Sequence, residues 1–196
     1  FANFINSDMD PEDARSMCCR LRLDKRELVK RNGGLFGSGE KTGSIGVVTL
    51  NLPRFGYKAQ NKEQLFNIIE KNMILAKESL EIKREFLQEQ LEKGLLPAFS
   101  EYVGTLDNHF STIGYVGANE MCENFLNKGI KSQEGYDLVH EVLTFMRDRL
   151  KDFQQQTDNL YNLEATPAES TSYKLAKKDK KLFGDSIYAQ GDEAPY

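Results

Sequence analysis

The sequence predicts an α/β fold with mainly parallel strands, and three observations carry that prediction. Ser44 to Leu52 (SIGVVTLNL) is β-branched and almost wholly apolar, the composition of a strand buried on both faces. Phe110 to Gly117 (FSTIGYVG) repeats that character. Between and after these runs lie long stretches with helical periodicity, and strands that alternate with helices form parallel sheets.

The elements follow in order. Phe1–Ile5 reads as a strand, Asp8 to Asp13 as a turn punctuated by Pro11, and Ala14 to Leu23 as loop or short strand. Asn32 to Gly46 is a Gly-rich connector, and Pro53 ends the strand that follows it. Asn61 with Gln64 forms a capping-box pattern at the head of a long helix. Leu65, Ile69, Met73, Ala76, Leu80, Leu87 and Leu91 make one apolar stripe along it, and Gly94 and Pro97 close it. After the second strand, Asn119 to Asn127 is a short helix stopped by Gly129. Ser132 to about Gln156 is a long helix with Tyr136, Val139, Leu143, Met146, Leu150 and Phe153 on one face. Leu160 to Leu163 is a brief strand, and Ser170 to about Lys180 a final helix.

Composition narrows the function classes. The chain has 196 residues, the size of one domain or a large piece of one. A net charge of −4 argues against a general nucleic-acid or membrane binder. No apolar run approaches the roughly 20 residues of a membrane span, and no signal peptide opens the chain. Three cysteines without regular spacing make no secreted disulfide framework, so a reducing cytoplasm is the expected home. The chain opens on Phe1 and closes on Asp192–Tyr196 in a loop pattern, so an internal fragment of one catalytic domain is expected over residues 1–196.

Three places could hold chemistry. Cys18 and Cys19 are adjacent, a poor geometry for a structural disulfide, and neighbours on an extended chain point to opposite sides. Arg20 would favour a thiolate. His109 and His140 form no recognisable dyad with either thiol, so redox or radical use of the sulfur, which needs no base, is the stronger chemical reading. The bland reading of this pair is two small buried side chains.

The second place is Asn162 to Tyr173, where a strand end, a loop of small hydroxyl residues and a helix start follow one another. Free N–H groups and the positive end of the helix dipole make such a start a phosphate cradle, with Ser170, Thr171 and Ser172 adding hydroxyls. Glu164 and Glu169 would turn away from an anion. The plain alternative is a capping loop with Ser170 or Thr171 as N-cap. The third place, Gly37 to Thr42, has the look of a phosphate loop but lacks the G-x-x-x-x-G-K-[ST] spacing. Cys122 has no metal-ligand spacing to the other cysteines, and no zinc or iron–sulfur pattern is present, so no metal is expected on this chain.

Four stretches together resemble the anaerobic (class III) ribonucleoside-triphosphate reductase family: SMCCRL (16–21), NGGLFGSGEKTGSIGVVTLNLPR (32–54), HFSTIGYVGANEMCENF (109–125) and NLEATPAESTSYKLAK (162–177). The resemblance implies a glycyl-radical enzyme on a ten-stranded α/β barrel. A finger loop, about residues 14–24 here, carries a cysteine to the barrel centre. The family's catalytic cysteine directly precedes arginine and maps to Cys19, the thiyl radical that takes the 3′ hydrogen of a ribonucleoside triphosphate. Cys18 stands where formate-using members often carry glycine, a departure that fits a branch using dithiol reductants. Ser44 falls where some relatives place an asparagine, replacing an active-site amide. Asn51 is a second candidate for a polar contact. The loop at about 164–173, with Thr166, Ala168, Ser170, Thr171 and Ser172, resembles the triphosphate-binding loop.

The resemblance also implies partners and cofactors: a radical-SAM iron–sulfur activase, formate or a thioredoxin/glutaredoxin-type reductant, a homodimer, and in the complete enzyme a glycyl radical and a structural zinc. The N-terminal regulatory region and the C-terminal glycyl-radical and metal region have no counterpart in these 196 residues, so the chain alone is expected to be inactive. A pyruvate formate-lyase-type glycyl-radical enzyme is the nearest rival, and a non-catalytic nucleotide-binding fragment is the rival from another class. The hydroxyl-rich helix start favours a nucleoside triphosphate over a small acid.

Overall fold

The structure, a computed structural model, describes residues 16–17, 21–22, 43–166, 168–190 and 196. The expected strand at 1–5, the turn at 8–13, most of the Gly-rich connector, and Cys18, Cys19 and Arg20 lie outside the described residues. Strands β1 (Ser16–Met17) and β2 (Leu21–Arg22) pair antiparallel, with Ser16 opposite Arg22.

The main sheet is parallel, in the order β3 (Gly43–Asn51), β4 (His109–Val116), β5 (Leu160–Ala165). Strand order follows chain order, as helical crossovers dictate. The α/β class with parallel strands is therefore present, as a three-stranded sheet. β4 is buried along nearly its whole length on both faces, which explains its unbroken apolar character.

Helix α1 (Leu52–Lys58) follows β3 at once and was not expected. Pro53, read from sequence as a strand terminator, sits in the first helical turn, where its fixed φ helps and its missing N–H costs nothing. Helix α2 (Lys62–Glu92) starts at the expected cap: Asn61 Oδ1 accepts from Gln64 N at 2.9 Å. Gln64 accepts in return from Gln60 N at 3.0 Å, one residue before the N-cap. Its buried stripe is Leu65, Ile69, Met73, Ala76, Leu80 and then Arg84; Leu87 and Leu91 fall outside the core. A short helix α3 (Pro97–Tyr102) was also not expected.

Helix α4 (Ala118–Leu126) is entered through Gly117 at φ 72°, a left-handed conformation that suits glycine. Helix α5 (Gln133–Thr157) is capped by Ser132, whose hydroxyl accepts from Gly135 N at 3.1 Å. Tyr136, expected on its inner face, is 59% exposed, and the core side begins at Leu138. Helix α6 (Glu169–Phe183) leads into a single 3-10 turn (Gly184–Ser186).

The core lies between one sheet face and the helices. Leu50, Ile113 and Tyr161 meet Ile69, Met73 and Leu80 of α2 and Val142, Met146 and Phe153 of α5. Each such side chain contributes about 1.5–3 kcal/mol by leaving water. Glu81 of α2 accepts from Tyr161 Oη at 2.5 Å and from Asn159 Nδ2 at 2.6 Å, tying the helix to the start of β5. Arg84 does the same for β4: it donates to the carbonyls of Leu106 (3.0 Å) and His109 (2.8 Å) and to Ser111 Oγ (3.0 Å).

Candidate functional site

Three helices begin where the three strands end. Asn51 ends β3 and leads into α1, Val116 ends β4 and leads through Gly117 into α4, and Ala165 ends β5 and leads into α6. The pairs Asn51–Val116 and Tyr115–Ala165 hold these ends level. The positive ends of the helix dipoles therefore gather at the carboxyl edge of the sheet, where open α/β folds bind ligands.

The loop predicted to hold phosphate lies at that edge. Thr166 N donates to Tyr115 O at 3.1 Å, so the ladder runs one residue past β5. Thr166 Oγ1 is buried against Gly114 of β4 and has no hydrogen-bond partner. The α6 N-cap is Ala168, which supplies no side-chain hydrogen bond. Ser170 and Thr171 thus lie inside the first turn, and neither is the cap that the plain reading required. The first intrahelical bond is Ser172 N to Ala168 O at 2.8 Å, which leaves the preceding N–H groups of the turn without helical acceptors. Ser170 is exposed, Thr171 half-buried and Ser172 buried.

Asn51 is at the same edge, but both ends of its amide are engaged. Its Oδ1 accepts from Arg54 N at 3.3 Å, capping α1, and its Nδ2 donates to Asp179 Oδ2 at 2.7 Å. Asp179, on α6, also accepts from Arg54 Nε at 2.5 Å and from Tyr196 Oη at 2.6 Å, and it is ion-paired with the Arg54 guanidinium. Burial and the bond to Asp179 push the Tyr196 phenol upward. Ser44 is not brought to this place. It is exposed and pairs with Phe110 at the other end of β3, seven residue steps or roughly 23 Å from Asn51.

Glu164 is the residue that the sequence reading set aside. It is 4% exposed and pairs in register with Gly114, on the sheet face opposite the α2–α5 core. Burial raises its carboxyl above the ordinary range. On the same face Thr112 Oγ1 donates to Asn162 Oδ1 at 2.7 Å. Period-two counting back from Thr166 would have found Glu164 and Asn162. Asp179 was legible in the small and polar stripe Ser172, Ala176, Asp179.

The other candidates lie apart. Cys122 is buried, donates to Gly135 O at 3.5 Å, and has its thiol pushed up to about 11 by burial and the nearby Glu123 and Glu120, the opposite of an activated thiolate. His109 is buried at the start of β4 beside Phe99, and His140 stacks on Tyr136 on α5. Among the described residues no three His, Cys, Asp or Glu side chains group to hold a metal ion, so the zinc implied for the complete enzyme has no ligand set there. No helix among them is long and apolar enough to cross a membrane.

A parallel sheet with helices starting at its carboxyl edge defines an α/β protein of the class that binds ligands at that edge. The family described as "Anaerobic ribonucleoside-triphosphate reductase" matches residues 1–196, and the chain belongs to that family. The anaerobic ribonucleoside-triphosphate reductase of Enterobacteria phage T4 is 28% identical over 160 residues, covering 72% of this chain and 25% of that protein. That of Haemophilus influenzae is 22% identical over 157 residues, covering 72% of this chain and 22% of that protein. The Thermotoga maritima anaerobic ribonucleotide reductase with glycerol in the active site superposes with a TM-score of 0.70 at 29% identity, over 75% of this chain and 25% of that one. Its form with dATP bound in the specificity site gives 0.71 at 29% identity, over 76% and 26%. The chain thus spans 22% to 26% of the length of these relatives.

Proposed function

We propose that this chain is the substrate-reducing segment of an anaerobic ribonucleoside-triphosphate reductase, and that its sheet forms part of a ten-stranded α/β barrel. The observation that carries the reading is the uncapped start of α6 beside the buried, unpartnered hydroxyl of Thr166. A triphosphate would offer acceptors to the first-turn N–H groups of Ser170 and Thr171 and to the Thr166 hydroxyl, which has no partner. Ala168 has no side-chain acceptor with which to cap the turn. The hydroxyls of Ser170 and Thr171 add donors, and Ser172 is buried within the first turn.

In the complete enzyme, the unpaired electron would come from a glycyl radical made by a radical-SAM activase. Cys19 Sγ then takes the 3′ hydrogen of the ribose and later returns it. The 2′ hydroxyl leaves as water, which requires a proton. Glu164, whose carboxyl is shifted upward by burial on the sheet face opposite the core, is suited to supply or share one. Formate or a thioredoxin/glutaredoxin-type dithiol protein supplies the reducing equivalents, and Cys18 beside Cys19 fits the dithiol route. Asn51 and Ser44 belong outside the ligand shell in this reading, Asn51 because its amide is engaged and Ser44 because of its distance. The setting is a cytoplasmic homodimer.

The test is anaerobic turnover in a full-length reductase carrying this segment, activated by its activase. Cys19→Ala is expected to abolish deoxyribonucleotide formation while nucleotide binding persists. Continued synthesis by Cys19→Ala would remove the radical assignment.

A further inference from the structure

Asp179 is 0% exposed on a helix whose outward lysines, Lys174, Lys177, Lys178 and Lys181, are all solvent-facing. A carboxylate taken fully out of water is costly unless charge and hydrogen bonds compensate it. Here the compensation comes from Asn51 Nδ2, the Arg54 guanidinium and Tyr196 Oη. Asn51 ends β3 and Arg54 opens α1, so the carboxylate joins α6 to the far side of the sheet from where α6 begins. β5 and β3 are two strand spacings apart, about 10 Å, and the ten residue steps from Glu169 to Asp179 span about 15 Å of helix. Helix α6 therefore crosses the carboxyl ends of the strands with an anchor at each side: the Thr166 N–Tyr115 O bond at its start and the Asp179 cluster near its end.

We propose that Asp179 is a positioning residue: its buried carboxylate latches α6 to the end of β3 and so fixes where the start of that helix meets a bound phosphate. This rests on the phosphate-cradle reading above. Such an ion pair is not retained for stability alone, because apolar packing of similar volume serves as well. What this cluster adds is fixed geometry: the Arg54 guanidinium holds Oδ1 while Asn51 Nδ2 and Tyr196 Oη hold Oδ2. A helix held only at its first turn would pivot about Ala168, and misplacements of about 1 Å matter for positioning groups. Asn51 acts within the latch through its Nδ2, and its place at the strand edge follows from that task.

The experiment is carried out in a full-length reductase carrying this segment. The affinities of a ribonucleoside triphosphate and of the same ribonucleoside without phosphates are measured, together with kcat at saturating triphosphate. Asp179→Ala is expected to weaken triphosphate binding roughly tenfold, with the nucleoside affinity unmoved and kcat within about threefold of wild type. Asn51→Asp alone, which sets two carboxylates face to face, is expected to weaken the triphosphate similarly. Asn51→Asp combined with Asp179→Asn restores donor to acceptor and keeps one carboxylate in the cluster for Arg54, and is expected to recover part of the affinity. If Asp179→Ala does not fold, this exchange decides: recovery in the double variant supports the latch, and equal weakness in single and double variants overturns it. An Asp179→Ala protein that binds triphosphate normally, or that loses triphosphate and nucleoside alike, also overturns it. Thr166→Val separates the two claims. If it weakens triphosphate binding while Asp179→Ala does not, the latch alone fails. If neither variant weakens it, the cradle fails as well.

Discussion

Gly114 and Thr166 occupy each other's space: a β-carbon on Gly114 would overlap Thr166 Oγ1 and crowd Val47 Cγ1. The hydroxyl that opens the phosphate loop can lie against β4 only because residue 114 has no side chain. The register partner Glu164 brings the same bare patch beside a buried carboxyl.

Gly114→Ala is therefore expected to push the 166–168 loop outward. The strain should cost about 1–3 kcal/mol of stability, the range for an added methyl in a packed site. Thermal unfolding of the full-length protein measures the loss. Triphosphate affinity should fall with it, while a Val47→Ala background, which frees part of the space, should return some of both.

Much of this architecture was legible in the sequence, and the parts that were not have physical reasons. Phe110 to Gly117 stood out because a strand buried on both faces is an unbroken apolar run; Ser44 to Leu52 reads the same way, but Ser44 and Val47 are exposed on β3 at the edge of the three-stranded sheet. The stripe from Leu65 to Leu80 stood out because one helix face meets the sheet. Helix α1 was missed because Pro53 reads equally well as the end of a strand and as the first turn of a helix. The α6 start was found from its hydroxyl residues, but the network around Asp179 was not. It joins residues 128 positions apart, and no local pattern connects Asn51 to Asp179.

Arg84 interrupts an apolar stripe, and the structure shows why it is tolerated. Its guanidinium serves two buried carbonyls and the Ser111 hydroxyl at the amino end of β4. Arg84→Met keeps the bulk but leaves those acceptors unpaired, and the loss is expected to be on the order of 3 kcal/mol by chemical denaturation. The same change should be felt at His109. Burial, and then the Arg84 charge, lower its imidazole below 6.5. A depressed histidine contributes stability that is full above its ordinary value and is lost as pH falls through the window down to the lowered value. In Arg84→Met that window should narrow, because one of the two causes is gone. NMR titration of the His109 imidazole checks the shift.

Glu164 gives the opposite sign. Burial raises its carboxyl above 4.5, so the native state holds a proton that the unfolded chain releases. Its contribution is full below 4.5 and is lost as pH rises through the raised value. Glu164→Gln, which mimics the protonated form, is expected to leave stability unchanged at low pH and to raise it near neutrality. Unfolding curves across pH should diverge as pH rises. If the two proteins stay parallel, the carboxyl is not desolvated. Activity should fall in Glu164→Gln despite the added stability, because the amide cannot exchange a proton.

The most direct test is a crystal structure of a full-length reductase carrying this segment with a ribonucleoside triphosphate bound. Phosphate oxygens are expected within about 3 Å of the Ser170 and Thr171 backbone nitrogens and of Thr166 Oγ1, with Cys19 Sγ facing the ribose 3′ carbon. Phosphates seated away from the start of α6, with the Thr166 hydroxyl still unpartnered and the Cys19 thiol turned from the sugar, would contradict the account.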